Sequence, residues 1–218
     1  MSKNNQLGFT LVEIAIVLVI VGLLIGAVLK GREMITNANI KRIESDRTEL
    51  SAAVHAYQDR YKILPGDDNE ASTRFTIYSG VDTVNGDGDG QIGTGDDWDT
   101  VADYPWAADD SHEPSKAFGH LRAAGLVTGA PNSPARPRHA LGGPIGIQDG
   151  ALNIGEHAVV FGVVEGSTTQ ILETRNDDGL PHTGRLQADL DTQLMTSGKT
   201  SSVTSYDDNN RYNLAFTL

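Results

Sequence analysis

The stretch from Phe9 to Leu29 reads FTLVEIAIVLVIVGLLIGAVL, 21 residues with one charge, Glu13. At about 1.5 Å per residue a helix of that length reaches roughly 31 Å, which matches a bilayer core of about 30 Å. Fifteen of the residues are Leu, Ile, Val or Phe. At roughly −0.45 kcal/mol each they contribute about −7 kcal/mol to insertion, against roughly +3 kcal/mol for one central charge. The segment therefore inserts despite Glu13. A cleaved signal peptide wants a basic start and a shorter apolar run; here the start holds only Lys3 and the run is too long. A plain membrane anchor fits the hydropathy but leaves a carboxylate inside the span without a partner. Lys3 on one side and Lys30 and Arg32 on the other leave orientation undecided by charge.

A helical stripe continues past the apolar run. Ile40, Ile43, Leu50, Val54, Tyr57 and Tyr61 recur at spacings of three, four and seven, with charged residues between them. Leu64-Pro65-Gly66 ends it, since proline and glycine together stop helices. The pattern predicts one helix of about 50 residues, lipid-facing in its first half and amphipathic in its second. Gly22-x-x-x-Gly26 matches the small-residue spacing used in close helix contact.

The stretch QLGFTLVEIAIVLVIVGLL resembles the amino-terminal signature of type IV prepilins and type II secretion pseudopilins. The resemblance implies a leader over 1–8 and a cut between Gly8 and Phe9 by a membrane prepilin peptidase and methyltransferase, with N-methylation of Phe9. It implies 9–29 as a transmembrane and filament-core helix, 30–64 as its amphipathic continuation and 65–218 as a globular head. Glu13 is then fifth in the mature chain, where the family places its glutamate, and pairs with the Phe9 amine of a neighbouring subunit during filament assembly. The expected fold is α+β and pilin-like, with the amphipathic half of the long helix packed on a small antiparallel sheet bearing long loops. The expected life history is a single-pass precursor in the bacterial inner membrane, then a periplasmic or extracellular filament. Its partners would be other pilin or pseudopilin subunits and the assembly platform.

The chain has 29 acidic and 17 basic residues, a net charge of −12, and no cysteine. That composition argues against nucleic-acid binding and excludes disulfides and thiolate metal sites. Between Gly66 and Glu113 lie thirteen acidic residues and one basic residue, Arg74, so this segment carries the whole imbalance. Within it, the acidic stretch 80–99 contains VNGDGDGQIGTGDD, with Asn85, Asp87 and Asp89 at alternating positions followed by Gly90 and Ile92. This is the ligand spacing of an EF-hand-type calcium loop, with the Gln91 carbonyl at position 7 and, at position 12, Asp96 where an EF-hand has glutamate, Asp97 competing for that role. Five glycines in the loop exclude the flanking helices of an EF-hand, so the expectation is a calcium loop in a different setting. Oxygen ligands without cysteine favour a hard cation. The competing reading is a solvated acidic loop.

A second acidic turn, Asn176-Asp177-Asp178-Gly179-Leu180-Pro181, could offer Asp177 and Asp178 to another cation, or to the first one if the loops meet, or be a plain capped turn. Asp67 and Asp68, just after the long helix, are equally open. Glu113–Gly125 reads as a short helix with His120 as a packing or surface residue. Ala130–Gly146 reads as an irregular loop, the segment 157–174 as a β-hairpin turning at Glu165-Gly166-Ser167, and Tyr212–Leu218 as a final strand. No P-loop, G-x-S-x-G, H-E-x-x-H or dinucleotide fingerprint is present, so the chain reads as a non-enzyme. The leading expectation is a structural filament subunit whose head loop is stabilised by calcium. The alternative is a calcium-dependent adhesive head displayed on a pilus-like filament.

Overall fold

A computed structural model describes residues 10–80, 84–93, 113–133, 136–191 and 203–218. The expected leader over 1–8, the Gly8–Phe9 junction, Asp96 and Asp97 lie outside the described residues. The chain divides into two units, Met1–Asn39 and Ile40–Leu218.

Helix α1 spans Leu11–Tyr61, 51 residues without a break. Its first turn is closed by a capping box: the Glu13 carboxylate accepts from the Thr10 N–H and the Thr10 hydroxyl, both at 2.8 Å, and the Thr10 hydroxyl accepts from the Glu13 N–H at 3.3 Å. From Leu11 to Leu29 every large apolar side chain is exposed, the least so being Val21 at 43%. Leaving these fourteen Leu, Ile and Val side chains in water would cost on the order of 20 kcal/mol. It is the one helix among the described residues long and apolar enough to cross a membrane.

The second unit is an α+β domain of pilin-like layout. Ile40, Ile43, Leu50, Ala53, Val54 and Tyr57 of α1 are buried in its core. Helix α1 stops where Lys62 takes a left-handed conformation and Pro65 follows. A short helix α2 (Ala71–Arg74) and a 3-10 turn at Thr76–Tyr78 come next, and helix α3 runs Glu113–Ala123. The strands are β1 (Ile145–Asp149), β2 (His157–Glu165), β3 (Leu186–Leu190) and β4 (Arg211–Thr217), in the antiparallel order β1-β2-β4-β3. Ile147 pairs with Val159, Val159 with Phe216, and Phe216 with Leu186, so one apolar row crosses the sheet. That row belongs to the main core with α1 and α3. The alternate residues Ala158, Val160 and Ala215 pack with Ala151, Leu152 and Ile154 in a second, smaller core. Burial on both faces explains why β2 reads as an unbroken apolar run rather than an alternating one.

The expected hairpin over 157–174 is not formed. Its first half is β2, but Gly166–Asn176 is helix α4. Strand β2 is already flanked by β1 and β4, and Thr168, Thr169, Leu172 and Glu173 are buried at helical spacing. Strands β1 and β3 were not anticipated in register or extent; the final strand and α3 fall within a residue or two of expectation.

His120 of α3 is fully buried rather than surface-exposed. The Gly66 N–H donates to its Nδ1 at 2.9 Å, so its Nε2 carries the proton and donates to the Val84 carbonyl at 2.8 Å. The imidazole stacks on Tyr57 at 6.2 Å. Burial pushes its pKa down to about 4 from 6.5. The unfolded chain thus binds the additional proton below 6.5, and stability is lost as pH falls from 6.5 toward 4. The predicted loss from this group is about 2 kcal/mol between pH 7 and pH 5. Urea midpoints of the detergent-solubilised chain at the two pH values, compared with His120→Gln, check this: the variant should lack that part of the acid sensitivity.

Candidate metal centre

The site is assembled by the chain leaving α1. Asp68 is fully buried and accepts from the Tyr57 hydroxyl at 2.6 Å, from Arg74 at 2.9 and 3.3 Å, and from the Glu70 N–H at 2.9 Å. Burial alone would raise its pKa, but the Arg74 and Tyr57 hydrogen bonds outweigh it and hold the carboxyl below its ordinary range. With Asp68 fixed inward, Asp67 faces the loop 84–93. That loop crosses directly over 66–68: the Gly86 N–H donates to the Asp68 carbonyl at 2.9 Å. A Cβ on Gly86 would lie 2.3 Å from the Gly66 carbonyl oxygen and the Asp67 carbonyl carbon, so only glycine permits the crossing.

The loop is then pinned from three sides. The Gly90 N–H donates to Asp67 Oδ2 at 3.1 Å. The Asp87 and Gly93 N–H groups donate to the two oxygens of Glu113, each at 2.9 Å. The Ile92 N–H donates to Asp149 Oδ2 at 2.9 Å, and the fully buried Ile92 side chain anchors the loop in the core. Asp149 is held in turn by His157, whose pKa it raises by hydrogen bonding. Two turns of the loop close on their own carboxylates, Asp89 N–H to Asp87 Oδ1 at 3.0 Å and Gln91 N–H to Asp89 Oδ1 at 2.8 Å.

These contacts bring Asp67, Asp87, Asp89 and Glu113 together, each offering an oxygen within 4.8 Å of the others. Oxygens about 2.3–2.6 Å from a common calcium ion span such a spread. Asp67 and Glu113 are buried, while Asp87 and Asp89 are exposed. Burial raises the pKa of Asp67, and the Asp89 and Asp87 charges raise it further. Burial likewise raises that of Glu113, with Asp67 and Asp87 adding to it. Asp67 Oδ1 is buried and has no hydrogen-bond partner. An orphaned anionic oxygen facing three further carboxylates is a donor set suited to a hard divalent cation.

The loop aspartates singled out by spacing, Asp87 and Asp89, are both in this cluster. The Asn85 side-chain oxygen accepts from the Ser72 N–H at 2.8 Å, and the Gln91 amide donates to Asp89 Oδ2 at 3.3 Å. Asp67 was an open candidate for a cation; Glu113 was not anticipated as a partner of the loop. Each is some twenty residues from it in sequence, and a contiguous ligand pattern does not find them; the available signals were the Leu64-Pro65-Gly66-Asp67 turn and an acid heading α3. Asp177 and Asp178 also have a third member, Glu173 of α4, each with an oxygen within 4.8 Å of the others.

Two glycines separate steric from conformational requirements. Gly86→Ala should lower stability by about 2 kcal/mol through collision with 66–67. Gly90→Ala, with open space around its Cβ but a φ of +89°, should cost about 1 kcal/mol. Thermal unfolding of both variants checks the order.

Residues 3–29 match the family model of the prokaryotic N-terminal methylation motif. No curated protein and no solved structure matches the chain. The chain therefore carries at its amino terminus, running into the apolar first half of α1 and followed later in the chain by a small antiparallel sheet, the signature of type IV prepilins and pseudopilins.

Proposed function

We propose that this chain is a structural subunit, a pilin or pseudopilin, of a type IV pilus or type II secretion pseudopilus. In this reading prepilin peptidase cuts between Gly8 and Phe9, Phe9 is methylated, and the subunit leaves the inner membrane for a helical filament. The observation that carries the reading is the methylation motif over 3–29 joined to an apolar helix with no cover of its own. Lipid and then sister helices supply that cover. The role is non-enzymatic, in keeping with a motif whose family is structural. In the head, calcium binds Asp67, Asp87, Asp89 and Glu113, and the orphaned Asp67 oxygen supports this choice.

Intact mass of protein from the native host should show loss of Met1–Gly8 and gain of one methyl group. A chain still beginning at Met1 that never sediments with filaments would overturn the reading. Glu13→Gln separates the two uses of this residue. Glutamine retains the capping box with Thr10 but not the charge. Cleavage and helix content should therefore persist while sedimentable filaments are lost.

For the head, 10 mM calcium should stabilise the detergent-solubilised full-length chain by about 1–3 kcal/mol, given an affinity on the order of 10⁻⁴ to 10⁻³ M. The Asp87→Asn/Asp89→Asn double variant should lose that gain, as read from the urea midpoint with calcium and with chelator.

A further inference from the structure

The end of helix α4 holds a second convergence of carboxylates that the filament reading does not use. Glu173 lies in the last turn of α4, Asp177 caps that helix, and Asp178 follows it. Their oxygens lie within 4.8 Å of one another. Among the described residues no lysine or arginine forms an ion pair with any of the three. They also sit at the carboxyl end of a helix, where the backbone dipole disfavours anions and favours a cation.

The arrangement is built rather than incidental. Glu173 is completely buried, and its Oε2 accepts from the Tyr206 hydroxyl at 2.8 Å, which fixes the side chain. Its Oε1 is buried with no hydrogen-bond partner. Asp177 Oδ2 accepts from the Leu186 N–H at 2.7 Å, tying the turn to the first residue of β3. Asp178 accepts from the Leu180 N–H at 2.9 Å and from the Thr183 hydroxyl at 2.6 Å. Gly184 lies so close that a Cβ there would fall 2.1 Å from Asp177 Oδ2. Each carboxylate oxygen has two lone pairs, so these hydrogen bonds orient the ligands without exhausting them.

We propose that Glu173, Asp177 and Asp178 form a second site for a hard divalent cation of calcium type, separate from the loop site at Asp67, Asp87, Asp89 and Glu113. The buried, unpartnered Glu173 oxygen is the ligand that distinguishes it from an ordinary acidic turn. All donors are oxygens, as calcium prefers, and the exposed Asp178 leaves room for water to complete the shell. The bound ion would clamp the end of α4 to the 177–186 turn and, through Tyr206, to the segment that leads into β4.

The test is calcium stoichiometry on the full-length chain in detergent micelles, by equilibrium dialysis with radioactive calcium. The wild-type chain should bind two ions. Glu173→Gln, which keeps the Tyr206 contact, and Asp178→Asn, at an exposed position where misfolding is not at issue, should each bind one. The Asp87→Asn/Asp89→Asn variant should also bind one, and adding Glu173→Gln to it should abolish binding. If Glu173→Gln and Asp178→Asn both bind as many ions as wild type, the second site is overturned. If wild type binds a single ion that vanishes with Asp87→Asn/Asp89→Asn, the second site is likewise overturned while the loop site stands. If Asp87→Asn/Asp89→Asn binds as wild type does but Glu173→Gln and Asp178→Asn each bind one ion fewer, the loop site fails and the second stands.

Discussion

A buried charge organises the head. Asp68 has no exposed surface, yet four donors from Tyr57, Arg74 and the Glu70 backbone converge on it and hold its carboxyl below its ordinary range. A buried carboxylate without such partners would cost several kcal/mol; with them it becomes a locating pin, and removing one partner leaves the penalty exposed. The pin joins the last turns of α1 to the chain that follows. Arg74, the single base in the acidic span from Gly66 to Glu113, is spent on it and also lies over the Tyr61 ring at 5.1 Å. Everything downstream depends on that placement: where Asp67 points, where Gly86 crosses, and which oxygens meet.

The negative charge of the head is therefore divided between two jobs. Asp68 and Asp149 work as acceptors for groups of the fold, the former for a guanidinium and a phenol, the latter for an imidazole and the Ile92 N–H. Asp67, Asp87, Asp89 and Glu113 accept backbone N–H groups but have no cation among the described residues to neutralise them. Adjacent residues, Asp67 and Asp68, fall on opposite sides of this division. Composition gives no hint of it, because the two side chains are chemically identical and differ only in what the tertiary fold places beside them.

Legibility in the sequence followed the range of the forces involved. The apolar run, the helical stripe from Ile40 to Tyr57 and the Pro65 stop are local patterns, and α1 follows them closely. Asp87 and Asp89 were visible because their spacing lies within one loop. Glu113 was not, since the Asp87 and Gly93 N–H groups that aim it are brought in by a long-range crossing. The segment after Glu165 misled for a related reason: Ile171 and Leu172 suit a strand by composition, but β4 already occupies the neighbouring position on β2, leaving Gly166–Asn176 to bury Leu172 and Glu173 as a helix. Glu173 then entered the acidic turn from a direction that the Asp177-Asp178 pair alone does not suggest.

The Thr10–Glu13 box has a bearing on what the lone charge of the apolar run costs. The Glu13 carboxylate takes both hydrogen bonds through Oε2, from the N–H and hydroxyl of Thr10 at the start of its own helix. Inside an apolar run these internal partners lower the cost of the charge but supply no opposite charge to it. A cation brought to that position would therefore add an interaction that the helix does not make for itself.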